Sequence, residues 1–298
     1  MRRALYDPQQ GYYTRHIRTV GRRGDFTTLP QKDGMLAKRI AEWIQASRAG
    51  YRHLIEIGAG TGELACGIWK SLGWWRRLRW RIHIVDVSLP LRQKQQATLR
   101  GMPVRWHDSM ESALQAAGGR ALIYSNELPD AFPCRVFQND NGRWREVFFS
   151  TTHRHELLRD AEPPTSSIFD IAHPAGQRVE VHISYRDWLA DWAPHWKGGR
   201  MLTVDYGAEA AALYHRRPRG TLRGYLLHQR LEGADLLAAP GRCDLTCDIN
   251  FTDLDRWGTD LGWETMRQES LRDFLALPDH SPLADACDAF RVLEQRTA

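Results

Sequence analysis

The sequence predicts an α/β protein built on a doubly wound, mostly parallel sheet, and three observations predict it. Short apolar runs (HLIEIG, RIHIVDV, PVRW, ALIYSN and RMLTVDYG) alternate with stretches of helical periodicity, the pattern of parallel strands joined by crossover helices. A glycine-rich loop runs straight from the first strand into a helix-like segment, a connection that in such sheets brings a ligand to the strand ends. At 298 residues and 42% hydrophobic content, the chain is long enough for one large core or two small ones.

Taken in order, MRRALYDPQQG carries two arginines with no apolar run behind them. No window reaches the ~18 apolar residues of a membrane span, so a soluble cytoplasmic protein without a membrane partner is expected. GYYTRHIRTVGRRGDFTT is rich in aromatics and glycines, which suits a lid that orders over a ligand or a static hairpin packed on the core. KDGMLAKRIAEWIQ places Leu36, Ile40 and Trp43 or Ile44 on one helical face. Residues 1–50 are therefore read as a cap segment plus a first helix, and 51–298 as the core. WWRRLRWR at 74–81 interleaves aromatics with arginines as single-strand binders do, but a helix end with packed tryptophans and solvated arginines is the plainer reading. Insertions are expected at 134–151, where CRVFQNDNGRWREVFFS looks like a hairpin around Asn-Gly, and at 208–250, where periodicity is weak. FRVLEQ should complete the sheet after a hairpin from GWETMRQE.

The net charge of +5 is modest, and acidic and basic residues are interspersed, so a nucleic-acid stripe is not expected. Five cysteines, at 66, 134, 243, 247 and 287, form no paired CxxC set. Neither a disulfide framework nor a metal site is predicted from their spacing, and Cys243 and Cys247 are read as small apolar fillers.

The strongest motif is LIEIGAGTGELA. Gly58, Gly60 and Gly62 suit a tight turn, close backbone approach to a ligand and exposed amides at a helix start. A dinucleotide site usually needs GxGxxG, and Glu63 stands where that third glycine would be. GxGxG preceded by Glu56 resembles motif I of the class I S-adenosylmethionine-dependent methyltransferases; a nicotinamide site is the alternative. RIHIVDV ends in Asp86, a carboxylate able to accept both ribose hydroxyls or to cap the following helix. WHDSM offers Asp108 to an adenine amino group or to ordinary turn chemistry.

SNELPDAFP follows the apolar ALIY, at the end of the fourth strand, where a second substrate would sit. Glu127 and Asp130, three residues apart on a turn, can together hold a guanidinium fork, and their repulsion raises one pKa. Alternatively, Asp130 caps a turn and Glu127 is solvated.

ALYDPQQGYYTR, GRRGDFTT, LIEIGAGTGELA, SNELPDAFP, VDYG, RGTLRGYLLH and PGRCDLTCDINFTDL, in that order, resemble the MidA family, relatives of the mitochondrial complex I assembly factor that methylates a protein arginine. The resemblance implies a class I (Rossmann-like) methyltransferase fold with an N-terminal lid and an elaborated substrate side. It also implies S-adenosylmethionine as cofactor and a protein arginine as acceptor, on a respiratory-complex subunit. A noncatalytic assembly chaperone and a nucleic-acid amine methyltransferase are the other functions weighed; the oligomeric state is not specified. Carried over by position, Gly24, Asp25, Phe26, Glu56, Gly58, Gly60, Gly62, Asp86 and Asn126 would hold the cofactor, with Asn126 also facing the transfer site. Glu127, Asp130 and His228 would be catalytic and Tyr225 a substrate contact. Leu128-Pro129 and Cys247-Asp248 depart from the family pattern, where two aromatics and an Ala-His pair are usual.

Overall fold

The computed structural model describes residues 1–17, 34–47, 50–150, 155–226, 229–237 and 241–297. Its main sheet contains β1 (His53–Ile57), β2 (Arg81–Val85), β3 (Val104–His107), β4 (Arg120–Asn126), β9 (Gly198–Ala208), the two-residue β13 (Ile249–Asn250), β14 (Trp263–Ser270) and β15 (Phe290–Thr297). The order is β14-β15-β9-β4-β1-β2-β3, with β13 added to β9. From β3 to β9 neighbouring strands pair parallel, and β15 runs antiparallel to both β9 and β14. Strand order therefore reverses between β1 and β4, which leaves a crevice beyond their carboxyl ends.

Burial on both faces follows from two-residue alternation. After the short N-terminal helix α1 (Arg2–Tyr6) come α2 (Met35–Ala46) and α3 (Glu63–Ser71), against which Leu54, Leu122, Tyr124, Leu202 and Val204 pack through Leu36, Ile40, Ile44, Leu64 and Ile68. Ile55, Ile57 and Ile123 face the opposite cluster, formed by α5 (Met110–Ala116), α6 (Ile183–Trp192) and α7 (Phe251–Asp260). Each strand is apolar on both sides because helices cover both sides. FRVLEQ does complete the sheet as β15, but the link from β14 is not a tight turn: residues 271–289 intervene, with two short helices.

The Asn-Gly hairpin forms between β5 (Arg135–Asp140) and β6 (Arg143–Ser150). Asn141 and Gly142 both take positive φ, 53° and 93°, as a two-residue turn compatible with strand twist requires. This pair belongs to a separate four-stranded sheet, β7-β6-β5-β8, with β7 at His155–Asp160 and β8 at Arg178–Val181. A three-stranded sheet, β11-β10-β12, is built from β10 (Arg223–Leu226), β11 (Gln229–Leu231) and β12 (Asp244–Thr246).

WWRRLRWR corrects one expectation. Trp80 is buried, but Trp74 and Trp75 are 60% and 67% exposed. The helical turn Trp74–Arg77 is only four residues long, too short to offer a buried face.

Candidate functional site

A cavity of about 850 Å³ occupies the crevice where strand order reverses, within the usual range for small-molecule sites. Its floor is the glycine loop after β1. Gly58 and Gly60 have φ of 67° and 53°, left-handed values that glycine adopts without strain. A Cβ at Gly58 would lie 3.0 Å from Leu128 Cδ1, so the missing side chain also lets the turn after β4 close over the loop.

The wall after β2 is Asp86. Its Oδ1 accepts from Ser88 N at 2.8 Å and its Oδ2 from Gln95 Nε2 at 2.6 Å. The helix cap is Ser88, whose hydroxyl accepts from Leu91 N at the start of α4 (Leu89–Thr98), so Asp86 is left facing the cavity. Gln95 was not singled out from the sequence. Fully buried, it also donates to Gly60 O at 2.9 Å, tying the glycine loop to Asp86. A glutamine on the inward face of α4 was the available signal. Asp108 stands on the cavity rim, paired to Arg92 Nη1 at 2.7 Å and 93% exposed.

Glu56 and Asn126 lie at the ends of β1 and β4. Tyr124 donates its hydroxyl to Glu56 Oε2 at 3.1 Å, yet burial pushes the Glu56 carboxyl up to about 8. Asn126 donates to Glu127 Oε1 at 3.0 Å, while its own buried Oδ1 has no partner. A carboxyl short of positive charge beside an acceptor short of a donor fits the ammonium end of S-adenosylmethionine.

Glu127 lies on the cavity wall with φ 53°, a strained conformation for a residue with a side chain. Its backbone N donates to Val204 O at 2.9 Å, which holds the strain in place. Burial first, and then Asp130, push its carboxyl up to about 8. Asp130 itself is not on the wall. The 3-10 turn Pro129–Ala131 points its carboxylate at β12, where Thr246 Oγ1 donates at 2.7 Å, and its N donates to Asp205 Oδ2 at 3.1 Å. The expectation that both acids face one pocket is thus corrected: the turn sends one inward and one behind. Asp205, the acid of VDYG, is fully buried with its carboxyl pushed well up by burial and by Asp130 and Glu127.

Tyr225 is likewise off the wall, its hydroxyl accepting from Arg223 Nε at 3.3 Å. Gly24, Asp25, Phe26 and His228 lie outside the described residues. The N-terminal segment supplies a roof instead through Tyr6 and Tyr13. These stack at 5.6 Å; Tyr6 donates to Ala131 O at 2.9 Å and Tyr13 to Asp244 Oδ1 at 2.8 Å. Their aromatic spacing in ALYDPQQGYY was visible, but not their target. Among the described residues no helix is long and apolar enough to cross a membrane.

A solved structure from Burkholderia thailandensis, a likely methyl transferase of the COG1565 superfamily bound to S-adenosyl-homocysteine, superposes with a TM-score of 0.78 at 25% identity, covering 99% of this chain and 85% of its own. Among curated proteins, the mitochondrial protein arginine methyltransferase NDUFAF7 of Danio rerio is 27% identical over 87% of this chain, and that of Mus musculus 28% over 86%. The chain spans 67% and 64% of the length of these two relatives. These relatives overturn the cytoplasmic expectation, since both are mitochondrial proteins. A profile of S-adenosyl-L-methionine-dependent methyltransferases matches residues 35–268. With the sheet order, the glycine loop and the crevice beside it, this match settles the assignment: the chain belongs to the MidA-like family of S-adenosyl-L-methionine-dependent methyltransferases.

Proposed function

We propose that this chain methylates an arginine guanidinium of a protein, with a respiratory-complex subunit as the acceptor class that the family resemblance implies. The observation that carries the reading is Glu127, a carboxyl on the cavity wall beside Asn126, backed by Asp130 and Asp205. The names of the curated relatives support it. When bound, S-adenosylmethionine supplies a methyl group on a sulfonium that a nitrogen can displace in line. Glu56 and the Asn126 Oδ1 would accept from its ammonium, and Asp86 would accept from its ribose. Burial and Asp130 hold Glu127 protonated at neutral pH; a guanidinium brings the positive charge that ionises it. Glu127 then orients the nitrogen through a charge-assisted hydrogen bond. It receives the proton that nitrogen sheds as the N–C bond forms and the C–S bond breaks, and passes it to solvent.

The test incubates the protein with labelled S-adenosylmethionine and a cell extract. Label is expected in protein as methyl-arginine. Glu127→Gln should cut transfer on the order of 10²-fold while cofactor affinity stays unchanged. Label in nucleic acid would establish the amine methyltransferase of that class instead. Cofactor binding with no label in any acceptor would leave the assembly-chaperone reading.

A further inference from the structure

Behind the acceptor wall, Cys134 Sγ, His182 Nε2 and Cys247 Sγ all lie within 4.8 Å of one another. Cys134 follows the 129–131 turn, His182 immediately precedes α6, and Cys247 immediately follows β12. Cys247 Sγ is 3.4 Å from Cys134 Sγ and 3.1 Å from His182 Nε2. His182 and Cys247 are buried, and Cys134 is half-buried. Met1 brings a further sulfur, 3.7 Å from Cys134 Sγ. None of these groups lines the cofactor cavity.

From these positions we propose that Cys134, His182 and Cys247 form a binding site for a thiophilic d10 cation, zinc(II) or copper(I). Around a tetrahedral ion with metal–sulfur bonds of about 2.3 Å and metal–nitrogen bonds of about 2.0–2.1 Å, neighbouring donor atoms stand roughly 3.5–3.8 Å apart. The two shorter separations fall short of this by less than an ångström, and the third lies within 4.8 Å, so side-chain rotation has to bring the three donors around one ion. Two thiols and an imidazole are a soft donor set, suited to these ions and not to magnesium or calcium. A disulfide between the two cysteines would leave the imidazole without a role; an ion engages all three.

Charge argues the same way. Ligation takes the thiolate and neutral-imidazole forms, so an ion binds with release of the thiol protons. Zinc(II) entering the site releases two thiol protons to solvent and leaves a neutral centre, whereas copper(I) leaves one negative charge. Burial thus favours zinc. Since Pro133 and Ser184 lie on the cavity wall next to Cys134 and His182, joined by Ser184 Oγ donating to Pro133 O at 2.6 Å, the ion would brace that wall.

The full chain, reduced and stripped with a chelator, is titrated anaerobically with zinc(II) against a chromophoric chelator and separately with copper(I) against a copper(I) indicator. One equivalent is expected to bind, and the preferred ion names the site. Loaded protein should show Cys134 and Cys247 protected from alkylation and Cys66 unprotected, by mass spectrometry. Cys134→Ser should weaken binding on the order of 100-fold or more, since loss of groups outside the ligand shell already costs 10–100-fold, and Cys66→Ser should change nothing. Should Cys134→Ser fail to fold, the alkylation pattern of the unsubstituted protein decides. Uptake of neither ion, uptake that Cys134→Ser leaves unchanged, or unprotected Cys134 and Cys247 in loaded protein overturns the proposal.

Discussion

The two sides of the cavity are built in opposite ways. Around Asp86 and the glycine loop the polar groups are already satisfied: Ser88 N and Gln95 Nε2 both donate to Asp86, and Gln95 also donates to Gly60 O. On the acceptor side, Glu127, Asp130 and Asp205 are crowded together with raised pKa values, and Asp130 Oδ1 has no partner. A satisfied clasp holds its geometry before any ligand arrives. A cluster of buried acids whose charged forms are disfavoured instead awaits a positive charge, so its geometry and ionisation are completed by what binds.

The sharpest way to break this comparison is Gly60→Val. A β-branched side chain at φ 53° costs about 1–2 kcal/mol in backbone strain, small against a stability of about 5–15 kcal/mol, and it intrudes where the cofactor meets the backbone. S-adenosylmethionine binding should disappear in calorimetry while circular dichroism stays native-like. NAD should give no heat with either protein.

A smaller effect separates the two acids. Because Asp130 sits behind the wall, Asp130→Asn should lower methyl transfer by roughly tenfold, against roughly 10²-fold for Glu127→Gln. The double substitution should cost less than the product, since the two groups share one electrostatic environment. Equal single effects would place Asp130 in contact with substrate and erase the asymmetry.

On the satisfied side, Gln95→Leu keeps the helix but removes the donor to both Gly60 and Asp86. Cofactor affinity should fall about tenfold, the scale of losing a hydrogen bond to a charged group. Transfer at saturating cofactor should be nearly unchanged. A fall in transfer with affinity intact would show the clasp serving the acceptor side.

The mildest signature is pH. Glu56 and Glu127 have folded pKa values of about 8 against an ordinary 4.5, so between those values the unfolded chain holds fewer protons than the folded one. Their contribution is fully present below pH 4.5 and is lost as pH rises through 8. Buried His83, lowered to about 3, works the other way, but only up to its ordinary value of about 6.5. The melting temperature of the ligand-free protein should therefore fall from pH 6.5 to 8.5. S-adenosylmethionine should flatten that fall by neutralising Glu56, and Glu127→Gln should reduce it. A melting temperature independent of pH over that range would remove the unsatisfied-acid description.

The sequence made much of the cofactor side legible. Leu54 to Ala65 sets a strand, a turn and a helix within twelve residues, and Asp86 ends the next strand, so local periodicity and glycine placement were enough. Gln95 escaped notice because its two bonds are invisible until α4 packs beside the loop. On the acceptor side SNELPD was recognised as a site, but its spacing could not say that the 129–131 turn would send Asp130 to Thr246, 116 residues away. Trp74 and Trp75 show the same limit at the surface, where aromatic composition suggested packing that no neighbouring element provides.

By itself, then, the sequence determined the alternation of strands and helices, the glycine turn at the sheet's first crossover and the carboxylate after the second strand. Each is fixed by interactions over a few residues: side-chain period, backbone conformation and helix start. Only the tertiary structure decided which acid faces the cavity, which tyrosines roof it, and that cysteines 113 residues apart meet with a histidine 65 residues from one of them. Those meetings depend on how the two small sheets and the N-terminal segment pack beside the main sheet. Such packing is set by the summed burial of many side chains, which leaves no mark in the spacing of the few that carry the chemistry.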